Sequence, residues 1–495
     1  MRQERYIYRS IMHTPYFPAF RPQLATARRC ATQQVHRATL HELEHFLQSV
    51  FPPHLLAQED EGSNSRDRIF TICLTLQCFL WQALNPKAAC REVVRQVQAL
   101  FRILGRGPVD ENDSAYCQAR QRLPKERLEQ LLAVSAAKAD RRAGCGGQLN
   151  GRNVKVVDGS STQAADTAAN QKRYPQSAEQ KPGCGFPVIK FLLLFSLNSG
   201  AVLNVVMGSL RNHDLRLLGQ LREDLQSGDI LLGDRVYGEY STLATFPQRG
   251  IDVVARLHQA RRVDFRRAQR LSRNDGLFVF RKGWMQSKLM SRRQWRKMPE
   301  QITVRIIRFS ATIRGFRHRR ITLVTTLLDA KLYPAEQLMG LYARRWRLEL
   351  CLRDLKTTLG MEQLRCKSPD MVEKELLIYL LAHNLVRCLM ADAISQYGGE
   401  LQRVSFKGSL DSLRQYSAVI ATARSRKLRE ELWDDLLLNL ARDRLPYRPD
   451  RQEPRALKRR PKNFGWLTQP RRIFKECCHR NRYWKSNPRN LRRLN

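Results

Sequence analysis

The stretch that decides the fold is VKVVDGS, Val154–Ser160. Its apolar residues make a short, buried-type strand, and Asp158 follows directly. ILLGDRV, Ile230–Val236, repeats the arrangement with Asp234 after a second apolar run. In an α/β core, side chains at strand ends gather at the edge where sites form. Taken alone, an aspartate after a strand is a routine turn or cap residue. The pair needs a third partner before it implies chemistry.

Around these two stretches, VIKFLLLFSL (Val188–Leu197) and AVLNVVMG (Ala201–Gly208) also read as strands, joined by a hairpin turn at Asn198–Gly200. DLRLLGQLREDLQ (Asp214–Gln226) has helical spacing, and a strand follows at Asp229–Asp234. The order predicts an α/β core. Upstream, residues 1–38 read as a basic arm. Residues 39–150 read as a helical, DNA-binding N-terminal domain that ends at the Gly-rich boundary RRAGCGGQLNGRN (Arg141–Asn153). Within it, ENDSAYCQARQRLP (Glu111–Pro124) gives a short helix capped by Asp113 or Ser114 and carrying Arg120 and Arg122. A recognition helix in a major groove and an ordinary surface helix both fit that pattern.

Downstream, the core is expected to run over 151–245 and again over 331–400, split by a β-rich insertion at 246–330. Residues 256–320 hold 20 Lys and Arg against 3 Asp and Glu, with Trp284 and Trp295 among strand-like runs. MVEKELLIYLLAHNLVRCLMADAI (Met371–Ile394) reads as an amphipathic helix whose Glu373, Glu375 and Arg387 exclude a simple membrane span. The region 401–495 is basic. Its last part, 441–495, has 18 basic and 4 acidic residues and many prolines, and reads as an extended nucleic-acid-binding segment.

Over the whole chain of 495 residues, 87 Lys and Arg outnumber 46 Asp and Glu, a formal charge of +41. That excess points to a polyanion, of which nucleic acid is the common one. It is spread along the chain and not concentrated in one amphipathic helix, which disfavours a membrane-surface role. No apolar run is long enough to span a bilayer, and the N-terminus lacks the pattern of a signal peptide. The chain is therefore read as cytoplasmic. Its twelve cysteines show no paired C-x-x-C spacing, and adjacent Cys477, Cys478 and His479 are poorly spaced for one tetrahedral zinc site. They read as free thiols.

The third acidic partner lies in YARRWRLELCLRDLK, Tyr342–Lys356, where Glu349 stands among arginines. At 100° per residue, Tyr342, Arg345, Glu349 and Lys356 share one stripe, beside a face of leucines at 341, 348, 352, 355 and 359. An Arg345–Glu349 pair four residues apart adds a few tenths of a kcal/mol to an isolated helix. Metal chemistry gives the stripe another purpose. Three carboxylates holding two divalent cations can cleave a phosphodiester while nearby basic residues grip the flanking phosphates.

The spacing Y-x2-R-x3-E-x6-K, met by Tyr342, Arg345, Glu349 and Lys356, resembles the signature of the bacterial insertion-sequence-4 family of cut-and-paste transposases. NVKVVDGSST and ILLGDRVYGEY resemble that family's two aspartate segments, and DSAYCQARQRLP an N-terminal segment of its members. The likeness covers most of residues 40–400. It implies a ribonuclease-H-like core interrupted by the insertion, a triad of Asp158, Asp234 and Glu349, and two Mg2+ or Mn2+ ions. It implies phosphate contacts by Tyr342, Arg345 and Lys356, and support of a flipped base by Trp346. Its substrate would be double-stranded DNA, nicked at each element end, resolved through a hairpin and joined to target. The protein would work as a homodimer when synapsed on DNA, at the nucleoid. One feature departs from the pattern. The place of a second, base-stacking tryptophan falls near Ile321, beside His318 and Arg319, which puts a two-tryptophan clamp in doubt. The alternatives are a non-catalytic nucleic-acid-binding derivative and a metal-dependent nuclease without strand transfer.

Overall fold

In the computed structural model, the described residues are 50–57, 68–103, 105–283, 290–311, 319–420 and 425–446, with positions 47, 287, 423 and 470 besides. The N-terminal arm, most of the 441–495 tail, Trp284, His318, Cys477, Cys478 and His479 lie outside them. Helices of seven or more residues are numbered here. Four precede the sheet: α1 (Ile72–Leu84), α2 (Cys90–Ile103), α3 (Ser114–Arg122) and α4 (Lys125–Arg142).

The sheet has nine strands in the order β3-β2-β1-β4-β5-β9-β8-β7-β6. These are β1 (Val154–Gln163), β2 (Val188–Ser196), β3 (Val202–Ser209), β4 (Ile230–Gly233), β5 (Asp252–Arg256), β6 (Gln269–Ser272), β7 (Asp275–Arg281), β8 (Gln301–Ala311) and β9 (Arg319–Thr325). β1, β4 and β5 are parallel neighbours, and every other pairing is antiparallel. The basic strands β6–β8 therefore extend the same sheet through β9. β5, from the stretch expected to open the insertion, lies between β4 and β9.

Alternation along the strands divides the apolar side chains between two cores. Val154, Val156, Ile230 and Leu232 face one, with α1–α4; Val157, Leu192, Leu194 and Leu231 face the other, with α5 (Asp214–Gln220) and Trp295. The first core also takes in α6 (Ala335–Arg344), α7 (Trp346–Arg353) and α8 (Pro369–Tyr397). The four N-terminal helices thus share their apolar interior with one face of the sheet. Truncating a fully buried ring there, such as Phe191, costs about 3–5 kcal/mol. Polar ties fix the helices on α8: Lys125 bonds Glu373 at 2.6 Å, the Lys374 ammonium donates to the Gln121 carbonyl at 2.7 Å, and Arg142 pairs with Asp392. Among the described residues α8 is the one helix long and apolar enough to cross a membrane, and it is buried in this core. After α8 come α9 (Phe406–Ile420) and α10 (Arg426–Arg442).

Two local expectations need correction. Asp158 does not end its strand. It sits within β1, opposite Leu193, because Gly159–Gln163 continue the antiparallel ladder with β2. A polar run that resembles a loop is held extended by its apolar neighbour. The segment around Glu349 is not one uniform helix either. It breaks at Arg345 between α6 and α7 and is wound as a π turn at Asp354–Thr358. The even 100° spacing therefore does not carry through to Lys356, and a π turn re-aims the side chains beyond it.

Candidate active site

Strand register places the first two carboxylates. The β1–β4 ladder ends at Val156 opposite Leu232. Asp158 and Asp234 each stand two residues further on, so period two keeps both on the face of Val156 and Leu232. That is the face on which α7 packs through Leu348 and Cys351. Glu349, next to Leu348, projects at the rim of the same core.

Arg345 holds the group together. Its guanidinium lies 2.9 Å from a Glu349 carboxylate oxygen and 3.7 Å from one of Asp158. The other Asp158 oxygen accepts the Gly159 N–H at 2.9 Å. Burial pushes the Asp158 carboxyl up to about 6, against the pull of Arg345 and the Gly159 N–H, and the nearby charges of Asp234 and Glu349 raise it further. Among the described residues the ion pairs of Asp158 and Glu349 both end on Arg345, and Asp234 makes none. Arg345 thus pairs with two carboxylates and feels the charge of the third, Asp234.

The remaining residues of the basic stretch differ in setting. Tyr342 is buried beneath Arg345, whose guanidinium lies 5.9 Å from the ring centroid. Burial raises its hydroxyl above the ordinary range, opposed by Arg345 and reinforced by Asp234. Trp346 is 56% exposed, unusual for an indole. The Lys356 ammonium lies 3.3 Å from the Ser160 hydroxyl, two residues along β1 from Asp158 and on the same side of the strand.

Arg120 and Arg122 are set apart from this group, on α3. The Arg120 guanidinium turns inward, about 5.0 Å from the ring centroids of both Phe79 and Tyr116 and 3.2 Å from the Cys90 sulfur. Arg122 is half-buried near Arg68, whose charge, after burial, lowers its pKa.

The sequence reading missed Tyr237 and Asp214. The Tyr237 hydroxyl is held far above its usual range by burial and then by Asp214, Asp158 and Asp234. A Cβ on Gly233 would meet the Tyr237 ring at 2.7 Å, so a glycine before Asp234 lets the tyrosine fold back onto β4. Asp214 pairs with Lys190 at 2.6 Å. The available signal was the tyrosine three residues after Asp234, and apolar patterning does not register it.

Residues 149–385 match the Transposase DDE domain family, a span that begins just before β1 and ends within α8. The chain is 25% identical over 410 residues to the transposase InsG for insertion sequence element IS4 of Escherichia coli strain K12, covering 82% of this chain and 89% of that protein. Among solved structures, a piggyBac transposase synaptic complex with hairpin DNA aligns over 92% of this chain and 91% of its own, at 9% identity and a TM-score of 0.40. The Transposase DDE domain matched at 149–385 takes in Asp158, Asp234 and Glu349 together, and over most of its length the chain is similar to a transposase of the insertion-sequence-4 type.

Proposed function

We propose that this transposase binds the ends of its insertion sequence as double-stranded DNA, cleaves them at Asp158, Asp234 and Glu349, and joins the freed 3′ ends to target DNA. The observation that carries the proposal is that Asp158 of β1 and Glu349 of α7 both pair with Arg345, while the charge of Asp234 at the end of β4 acts on Asp158 beside them. The parallel β1–β4–β5 centre flanked by antiparallel β2 and β3 supports a ribonuclease-H-like core. Because β5 pairs with β4, that core takes in β5, and the insertion is better bounded as β6–β8. The helices before β1 serve as the DNA-binding N-terminal region. Arg122 is the candidate for DNA contact there, while Arg120 secures α3 from within.

The donor set suits hard divalent cations. It consists of oxygen ligands only, with more negative charge than one arginine neutralises. Asp158, Asp234 and Glu349 would hold two Mg2+ or Mn2+ ions, which supply charge neutralisation at the scissile phosphate and a nucleophile activated at neutral pH. The protein's own groups do the positioning. Arg345 can leave Glu349 for a phosphate oxygen, a bidentate contact suited to its planar fork. Lys356 offers a point charge to the next phosphate. Trp346, exposed beside them, presents a face on which an extruded base can stack. A homodimer synapsed on two ends, acting at the nucleoid, fits cleavage of both ends of one element.

The test is incubation of the protein with element-end DNA, target DNA and Mg2+. Joining of 3′ ends to a second molecule supports strand transfer. Cleavage without joining assigns a nuclease, and binding without cleavage assigns a non-catalytic derivative.

A further inference from the structure

Cys90, Asp113 and Cys117 come together between α2 and α3, in the helices and not at the sheet. One ligand atom from each, two sulfurs and a carboxylate oxygen, lie within 4.8 Å of one another. We propose that these three side chains form a binding site for a soft divalent cation of the zinc class. Cysteine sulfur and aspartate oxygen both ligate zinc, and three protein ligands leave a fourth position for water.

Three further observations support a built site. Asp113 occupies the N-cap position of α3, yet its side chain makes no capping bond, so its carboxylate is left for another partner. Cys90 is the first residue of the 14-residue helix α2, at the positive end of its dipole. The sulfurs also have fixed outer partners. The Arg120 guanidinium lies 3.2 Å from Cys90 Sγ and 3.5 Å from Cys117 Sγ. The Gln82 amide lies 3.8 Å from Cys90 Sγ and is itself held by the Ala88 carbonyl at 2.9 Å and the Tyr116 hydroxyl at 3.2 Å. Such outer donors orient metal ligands and set their basicity.

Charge decides what Arg120 does there. Two thiolates and one carboxylate carry three negative charges. A divalent cation and Arg120 carry three positive ones, so with both thiols ionised the half-buried cluster is neutral when the metal is bound. The inward turn of Arg120 then follows from its role as counter-ion.

The experiment measures metal in the full-length protein, purified with reductant and without chelator. Zinc is counted by elemental analysis, and the stripped protein is titrated with Cd2+ while sulfur-to-cadmium charge-transfer absorption is followed. About one zinc per chain and a saturable thiolate band are expected. Cys90→Ser and Cys117→Ser should each abolish the band. Asp113→Asn keeps both thiols and should weaken cadmium binding by about tenfold or more. It serves as the decisive variant if the serine variants fail to fold. Asp158→Asn should leave the band unchanged, which separates this site from the carboxylates of the sheet. Absence of stoichiometric uptake in the wild type overturns the proposal. So does uptake that survives loss of both thiols, or an Asp113→Asn affinity equal to wild type.

Discussion

Arg345 and Arg305 each face carboxylates, one near the parallel strands of the sheet and one in its antiparallel extension. Arg305 on β8 has no solvent exposure. Its Nε and Nη2 donate to the two oxygens of Asp275 on β7 at 2.9 and 2.5 Å, and Nη1 donates to the Tyr333 carbonyl at 2.6 Å. One cation meets one anion, and the spare N–H is satisfied. Arg345 pairs with two carboxylates under the charge of a third, remains partly exposed, and leaves negative charge uncompensated. A balanced, closed pair ties strands together. An unbalanced, open one is a place for cations and phosphate.

The contrast is broken most severely at the open end. Asp158→Asn, Asp234→Asn and Glu349→Gln should each cut end cleavage by about three orders of magnitude or more, roughly 4 kcal/mol of barrier. Melting and end binding should stay near wild type. Variants that unfold instead would make the cluster structural.

The closed pair should behave in the opposite way. Arg305→Ala strands the buried Asp275 charge and should lower unfolding free energy by about 3–5 kcal/mol in denaturant titration. The double change of Arg305→Met with Asp275→Leu should recover most of it, since a buried pair adds little over apolar packing. No recovery would mean that Arg305 acts through the Tyr333 carbonyl.

His383 on α8 gives a third setting, a buried titratable group with no anion beside it among the described residues. Burial, then the charge of Arg387, push its pKa down from 6.5 to about 3, opposed by the Gly200 carbonyl 3.1 Å from Nε2. A folded pKa below the unfolded value means that the unfolded chain gains the proton first. The stabilisation is whole above about pH 6.5 and declines as pH falls from there towards 3. Between pH 7 and 4.5 the loss should be about 2–3 kcal/mol, and His383→Gln should remove that part of the slope. An unchanged slope would show that the ring charges without penalty.

Lys356 should give the smallest effect. Lys356→Ala should weaken cleavage and reduce the salt dependence of end binding by about one phosphate's worth, while Lys356→Arg keeps partial activity. A rate and slope equal to wild type would limit the working stripe to Arg345 and Glu349.

Much of this was legible in the chain itself. Apolar runs at VIKFLLLFSL and AVLNVVMG placed β2 and β3, because short runs of consecutive apolar residues bounded by turn residues suit a strand. Periodic leucines marked α7 and α8 as core-facing, and the charge excess pointed to a polyanion. The spacing from Tyr342 to Lys356 carried the family, which the matched domain bears out.

Tertiary structure decided the rest. Whether Asp158 lies at the end of β1 or within it depends on pairing with β2, since a Gly-Ser-Ser-Thr run extends only when a neighbour bonds it. The break at Arg345 and the π turn at Asp354–Thr358 are not encoded in local periodicity. That Arg305 is buried and Arg345 half-open could not be read from two arginines of equal local charge. Electrostatic environment is set by side chains distant in sequence, and those meet only once the strands are in register.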